Sequence, residues 1–363
     1  MKLIHCADIH LDSKMESHLS REQARERRQE LLASFTDMVE YGQMQGISVI
    51  LLAGDLFDTD WISRSTAMQV EQTIRSHPNI DFLYLRGNHD TERFLRGMEK
   101  TPSNLKLFGT EWTTYSYGNL EITGAEMSLE QQTKEQIRSL YDNLHLNPEK
   151  INIVMLHGQA DKGTAVGENR IPLGLLTGKN IDYLALGHLH GYQKELLDAR
   201  GNWCYSGCLE GRGFDECGPK GFVVLSVEES GVLSRFVINS RRQFREIHAD
   251  LTGCSTIEEI EQNINQVLLP VPSSDLVRLV LEGQVEADLD PQETYVQRKF
   301  GIGFYYLEVQ KKTHPVIDYS RYCRENSLKG EFVRLVQKSD LSKQDKEKVI
   351  VCGIRALAGE DFL

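Results

Sequence analysis

A layered α/β domain is the fold class the sequence predicts, and three observations predict it. Short apolar runs recur along residues 1 to about 240, segments with helical spacing lie between several of them, and Gly, Asp or Asn closes most of the runs. Strands that are covered on both faces read as near-continuous apolar runs, so helices flanking a largely buried, mostly parallel sheet produce this pattern.

The elements follow in order. Lys2–Ala7 is an apolar run that ends in Asp8-Ile9-His10. Ser20 and Gln23 have the spacing of a capping box, and Leu31, Leu32, Phe35, Met38 and Val39 continue at helical spacing until Gly46. On that helix Arg25, Arg27 and Arg28 alternate with Glu22, Glu26 and Glu30, which reads as a solvated face. Ser48–Leu52 is a second strand, ending in Ala53-Gly54-Asp55, and Ser63 caps a helix that buries Val70 and Ile74. Phe82–Leu85 is a third strand, ending in Arg86-Gly87-Asn88-His89-Asp90. Strands return at Leu120–Ile122, Ile151–Leu156 and Tyr183–Leu186, and Phe222–Val227 with Val232–Ile238 reads as a hairpin.

Asn239–Gln243 is a polar joint, rich in arginine, where Arg241, Arg242 and nearby Arg245 could meet a phosphate backbone. Beyond it, Phe244–Ala249, a helix over Ile257–Val267, Leu276–Leu281, a helix near Gln292–Lys299 and Phe304–Val309 predict a small β-α-β-α-β unit. From about Asp318 the pattern is helical, with segments around Glu331–Gln337 and Ser342–Leu357. The boundaries are therefore 1–240, 241–317 and 318–363.

Charge and cysteine usage exclude other classes. Over 363 residues, 41 basic and 53 acidic side chains give a net charge of −12, against a protein that coats nucleic acid through bulk positive charge. An enzyme that neutralises phosphate with bound cations needs carboxylates and tolerates this balance. No apolar run approaches the ~18 residues of a membrane span, and the start lacks a signal-peptide layout, so no membrane role is expected. Seven cysteines without Cys-x-x-Cys pairing suit reduced thiols in a cytoplasm, and Cys204, Cys208 and Cys217 are too irregularly spaced for a zinc site. Trp61, Trp112 and Trp203 read as packing residues.

Five motifs share one rule: an apolar run stops and a metal-binding side chain stands at its end. They are Asp8-Ile9-His10, Gly54-Asp55, Gly87-Asn88-His89-Asp90, His157-Gly158 and Gly187-His188-Leu189-His190. Alone, each has an ordinary reading as a turn, a cap or a core histidine. Together and in order they predict a metal site, because ligands gather at the carboxyl ends of strands in open α/β sheets. Asp, Asn and His without cysteine suit a borderline-hard divalent ion such as Mn²⁺, Fe²⁺ or Zn²⁺.

This series resembles the calcineurin-like metallophosphoesterase superfamily. Within it, His5–Asp12, Ala53–Thr59 and Tyr205–Glu216 followed by Lys220-Gly221-Phe222 are similar to the SbcD-type DNA repair exonucleases. The resemblance covers residues 1 to about 240. It implies a four-layer α-β-β-α metallophosphoesterase sandwich, a capping domain where the small α/β unit lies, and a tail that docks an ATPase. It further implies two divalent ions, manganese foremost with Fe²⁺, Zn²⁺ or Mg²⁺ as alternatives. One would be held by Asp8, His10, Asp55 and His190, the other by Asp55, Asn88, His157 and His188. Two cations ~3.5–4 Å apart clamp a phosphodiester and lower the pKa of a bridging water, which would serve as a metal-bridged hydroxide. His89 would stabilise the transition state or protonate the leaving oxygen, with Asp90 orienting it.

The resemblance also implies DNA as substrate, a homodimer, and an SMC-like coiled-coil ATPase, SbcC, as partner. Archaeal and eukaryotic relatives carry a histidine three residues after the bridging aspartate. Asp58 stands there in this chain, as is common in the bacterial group, so no role transfers to it beyond a candidate substrate contact shared with Arg212. Leu85–His89 also resembles the phosphoprotein phosphatases, where an arginine in the place of Arg86 grips phosphate bidentately. The competing functions are thus a phosphoesterase of small-molecule or protein esters and, in another class, a non-catalytic DNA-end-binding scaffold. The tail's Phe332, Leu335 and Val336, then Val349, Ile350, Cys352, Ile354 and Leu357, form apolar faces for docking the ATPase or for packing on the cap.

Overall fold

The computed structural model describes residues 1–15, 19–58, 62–127, 132–229, 231–286, 288–316, 322, 324 and 326–357. Trp61 and Cys323 lie outside the described residues. The chain divides into two units, Met1–Gln243 and Phe244–Leu363.

In chain order the first unit runs β1 (Lys2–Cys6), α1 (Arg21–Met44), β2 (Val49–Ala53), α2 (Arg64–Ser76), β3 (Asp81–Leu85), α3 (Arg93–Arg96), β4 (Leu105–Leu107), β5 (Thr113–Tyr117), β6 (Leu120–Gly124) and α4 (Lys134–Asp142). It continues with β7 (Ile151–His157), β8 (Gln159–Asp161), β9 (Arg170–Pro172), α5 (Leu173–Leu176), β10 (Tyr183–Gly187), β11 (Gln193–Leu196), β12 (Asn202–Tyr205), β13 (Gly221–Glu228) and β14 (Gly231–Ile238). Two six-stranded sheets result, in the orders β14-β13-β1-β2-β3-β4 and β11-β12-β10-β7-β6-β5. Their central pairs are parallel, with Ile4 beside Ile50, Leu51 beside Leu83, and Leu184 beside Val154.

The strand period of two explains how these apolar runs serve two cores. Leu3, Leu51 and Leu83 meet Ile122, Ile153, Met155 and Ala185 in a core shared by both sheets. Their sequence neighbours Ile4, Ile50 and Phe82 turn the other way and pack under Leu31, Phe35 and Met38 of α1 and Val70 and Ile74 of α2. On the second sheet Val154, Leu184 and Leu186 pack with Ile137 and Tyr141 of α4 and Leu173 and Leu176 of α5. A truncation such as Phe35→Ala costs about 3–5 kcal/mol in such a site.

Both helix starts follow the sequence. Ser20 Oγ accepts the Gln23 N–H and Gln23 Oε1 accepts the Ser20 N–H, each at 3.2 Å, and Ser63 Oγ accepts the Thr66 N–H at 3.1 Å. One expectation on α1 is corrected. Arg27 does not belong to a solvated face; it is wholly buried and paired with buried Glu210. Sequence reading passed over β4, β5, β8, β9, β11 and β12; β12 is a largely buried strand of four residues inside its sheet, and the others are short or lie at sheet edges. There one face meets solvent, and the apolar run that marks a central strand is lost.

The second unit runs β15 (Phe244–Asp250), α6 (Ile257–Leu268), β16 (Leu276–Glu286), α7 (Glu293–Phe300), β17 (Tyr306–Val316), α8 (Leu328–Gln337) and α9 (Lys343–Leu357). Its three strands are parallel in the order β15-β16-β17, and Leu279 and Leu281 pack with Ile260, Ile264 and Val296 of α6 and α7. Helices α8 and α9 form a separate small core from Val333, Val336, Ile350 and Ile354 with Tyr322. Leu335 and Val349 stay 61% and 39% exposed. Among the described residues no helix is long and apolar enough to cross a membrane.

Candidate metal centre

The loops that follow β1, β2, β3, β7 and β10 converge. Past the ends of β1 and β2 the chain continues to pair, with Asp8 N–H donating to the Gly54 carbonyl and His10 N–H to the Asp55 carbonyl, both at 3.0 Å. Asp8, His10 and Asp55 adopt φ of 52°, 50° and 50°, a left-handed conformation that non-glycine residues seldom take. Such strain persists where the surroundings enforce it, typically at functional sites. Close approach also dictates two glycines. A Cβ on Gly187 would lie 2.0 Å from the Ala53 carbonyl oxygen, and one on Gly54, at φ +95°, would lie 2.1 Å from His157 Nδ1.

Six donor side chains gather around Asp55. Asp55 Oδ2 lies 3.3 Å from His157 Nε2 and 3.8 Å from His10 Nε2. Asn88 Oδ1 lies 3.0 Å from His157 Nε2 and 3.3 Å from His188 Nδ1. On the other side His10 Nε2 and His190 Nε2 face each other at 3.2 Å, and donor atoms of Asp8, His10 and His190 all lie within 4.8 Å of one another. Asp8 also accepts the His188 backbone N–H at 2.8 and 2.9 Å.

The hydrogen bonds outside the cluster decide which nitrogens face inward. His157 Nδ1 donates to the Ala53 carbonyl at 2.9 Å, and His190 Nδ1 donates to Glu216 at 2.6 Å. Each therefore turns Nε2 into the cluster, the nitrogen that a metal-ligating imidazole would offer once an ion displaces its proton. Facing imidazole nitrogens among buried carboxylates form a donor set that fits a divalent cation.

The electrostatics agree. Burial raises Asp8 to about 6, with Asp55 adding to the rise and His157 opposing it. Burial disfavours charge on Asp55 too, but the His157 hydrogen bond and charge, with His10 and the His89 N–H, hold it well below the usual carboxylate range. Burial also opposes charge on His157, yet Asp55 and Asp8 raise it to about 9. An enclosed group of carboxylates thus stabilises positive charge at its centre.

His89 stands at the rim, exposed. Its backbone N–H donates to Asp55 Oδ1 at 2.9 Å, and its Nδ1 lies 3.2 Å from the Asp58 carbonyl. The expectation that Asp90 orients His89 is corrected. Asp90 accepts the backbone N–H groups of Leu56, Phe57 and Gly87 at 3.2, 3.0 and 3.0 Å, so its oxygens bind the second motif's loop to the third's. Asp58 Oδ1 lies 3.0 Å from His10 Nδ1 and accepts from Arg212 at 2.7 Å. Arg86 is committed elsewhere: its Nε and Nη2 grip Glu126 at 3.0 and 2.7 Å, at a cavity of about 340 Å³ lined also by Tyr84, Glu92 and Phe108.

Glu216 is the site residue that sequence reading missed. The His190 hydrogen bond and Arg212 hold it at about 2 against burial, which acts the other way. Its only signal was an acid four residues after Arg212 in the Tyr205–Glu216 stretch. At the joint, the three arginines meet acids. Arg241 pairs with Asp37, Arg242 with Glu26 and Glu30, and Arg245 with Asp275. Trp203 is buried and Trp112 Nε1 donates to the Leu140 carbonyl, as packing residues do. The described cysteines are free.

The chain is similar to known proteins across much of its length. It is 26% identical over 295 residues to the DNA double-strand break repair protein Mre11 of Aeropyrum pernix, covering 75% of this chain and 69% of that one. It is 28% identical over 309 residues to the metallophosphoesterase YhaO of Bacillus subtilis, covering 78% and 72%. Against a subunit of the nuclease SbcCD of Staphylococcus epidermidis it is 26% identical over 274 residues, covering 64% and 68%. Residues 1–192 match the model of the calcineurin-like phosphoesterases, the stretch that supplies all seven converging donors. The chain belongs to the calcineurin-like phosphoesterase family.

Proposed function

We propose that this phosphoesterase is an SbcD-type nuclease that hydrolyses phosphodiester bonds of DNA in end processing and repair. The convergence of Asp8, His10, Asn88, His157, His188 and His190 on Asp55 is the observation that carries the reading. Asp8, His10, Asp55 and His190 would hold one divalent ion, and Asp55, Asn88, His157 and His188 a second. When bound, two such ions supply Lewis-acid stabilisation of charge on the attacking and leaving oxygens of the ester. Manganese is the ion proposed, and the mixed Asn, Asp and His donors suit Fe²⁺ and Zn²⁺ as well.

The chain's own residues do the rest. Ala53 and Glu216 hold His157 and His190 in the tautomers that present Nε2. In its protonated form His89 donates Nδ1–H to the Asp58 carbonyl and would carry on Nε2 the proton that a leaving oxygen takes. Asp90 holds the loop that carries His89 against the loop that carries Asp55.

DNA is favoured as substrate because two of the relatives are named as a break-repair protein and part of a nuclease. The same reading places the protein in the cytoplasm as a homodimer, makes 241–317 a capping domain, and gives α8 and α9 the docking of an SbcC-like ATPase. A Mn²⁺-dependent assay on duplex and single-stranded DNA, run beside cyclic nucleotides and phosphopeptides, tests it. Cleavage of DNA is expected. Turnover of the small esters alone would overturn the nuclease reading, and metal-loaded protein that holds DNA ends and cuts nothing would make it a scaffold.

A further inference from the structure

We propose that Arg212 is a positioning residue of this centre: its guanidinium locks two carboxylates, Asp58 and Glu216, that each hold one of the facing imidazoles, His10 and His190. The inference rests on the reading above that these imidazoles serve divalent ions.

Arg212 Nη1 donates to Asp58 Oδ1 at 2.7 Å, while Nε and Nη2 donate to Glu216 Oε1 at 3.3 and 3.1 Å. The Arg212 backbone N–H adds a bond to Glu216 Oε2 at 2.9 Å. Beyond the carboxylates, Glu216 Oε1 accepts from His190 Nδ1 at 2.6 Å, while Asp58 Oδ1 stands 3.0 Å from His10 Nδ1 as a charge contact without hydrogen-bond alignment. The two imidazoles then meet Nε2 to Nε2 at 3.2 Å. One arginine thus stands behind both, on the side away from the centre.

Chemistry makes that placement consequential. A neutral imidazole carries its proton on either nitrogen, and only an acceptor at Nδ1 reserves Nε2 for a cation. The guanidinium cannot be that acceptor for His190, although Nη2 comes within 3.2 Å of Nδ1, because it has no lone pair to offer. Its part is to fix the acceptors. A planar fork with donors on two edges holds two carboxylates at a set angle, which a lysine ammonium cannot do. Asp58 follows β2 and Glu216 follows β12, 154 residues from Asp58 to Arg212, so the lock also ties together loops from the two sheets. Direct contact between Arg212 and a substrate phosphate would require its engaged donors to let the carboxylates go.

Titration of Mn²⁺, and in parallel Zn²⁺, into the chelator-stripped full chain without DNA tests the lock. Arg212→Lys and Arg212→Gln should each weaken ion affinity by about 10- to 100-fold, the usual worth of a group that orients a ligand. The isosteric pair Asp58→Asn with Glu216→Gln should do the same, and Arg212→Gln added to that pair should change nothing further. Wild-type ion affinity in Arg212→Lys, or in the isosteric pair should Arg212→Gln fail to fold, would overturn the proposal. So would a raised KM for DNA with ion affinity intact, which would put Arg212 on the substrate. Weakened ion affinity in a protein that cuts no DNA would sink the nuclease reading and leave the lock standing. A wild-type chain that takes up neither ion would overturn both.

Discussion

Arg27 and Glu210 are both wholly buried and meet at 3.0 Å, Nη2 to Oε2, joining helix α1 to the loop that carries Arg212. Arg27 also donates to the Gly211 carbonyl at 2.9 Å and to Glu30. Glu210 accepts from Ser34 Oγ at 2.7 Å and from the Arg241 N–H at 2.6 Å. A buried pair is costly to break on one side: without Glu210, Arg27 keeps only Glu30 as an acid among the described residues, and the Ser34 hydroxyl and Arg241 N–H lose their acceptor.

Glu210→Ala should therefore lower unfolding stability by about 3–5 kcal/mol. Urea unfolding measures it, and a loss below about 1 kcal/mol would show that the loop is held by other contacts. Because the loop carries Arg212 and Glu216, ion affinity should fall alongside stability.

Two substitutions in the site should separate. His89→Ala removes an exposed side chain and none of the seven proposed ion donors, so metal content should stay near normal while cleavage slows about 10²- to 10⁴-fold. Asp55→Ala removes the carboxylate at the middle of the cluster and should empty it. Metal analysis with the reverse order would refute the assigned roles.

Acid stability should depend on His5. This imidazole is buried between the sheets, with Nδ1 3.0 Å from the Tyr183 hydroxyl and Nε2 3.2 Å from the Leu186 carbonyl, and burial lowers it to about 3. Its unfolded value is about 6.5, so between these limits the unfolded chain binds the extra proton. Stability is then lost as pH falls from about 6.5 towards 3, by at most about 1.4 kcal/mol per pH unit from this one group. His5→Gln should flatten that part of the stability–pH curve, and an unchanged slope would rule His5 out as the cause.

The exposed faces of α8 and α9 should matter for a partner and not for folding. Leu335→Asp and Val349→Asp alter side chains that lie outside the Val333–Ile350–Ile354 core. If the proposed SbcC-like ATPase docks there, they should abolish its co-purification while leaving the unfolding midpoint and any cleavage of short DNA unchanged. Retained binding would place the docking surface elsewhere on the chain.

What was legible in the sequence was local. Each central strand announces itself as an apolar run, and each converging donor stands within a few residues of a strand's end, so the five motifs could be read one at a time. The two capped helices were legible for the same reason, since Ser20 with Gln23 and Ser63 with Thr66 interact across three residues. Edge strands such as β5 and β11 were not, because half-exposed residues carry no apolar run.

By itself, the sequence marked the central strands, the capped helices and seven candidate donors at strand ends, because period and composition act over short stretches of chain. Only the tertiary structure decided which side chains stand behind those donors. Arg27 reads as surface until Glu210, 183 residues away, is brought to it. Asp90 reads as a partner of its neighbour His89 until three backbone N–H groups claim its oxygens. Asp58 and Glu216 become partners of His10 and His190 only when the sheets close and Arg212 is placed between them. Hydrogen bonds and ion pairs act through space over a few ångströms, and no periodicity along the chain records which distant residues will meet.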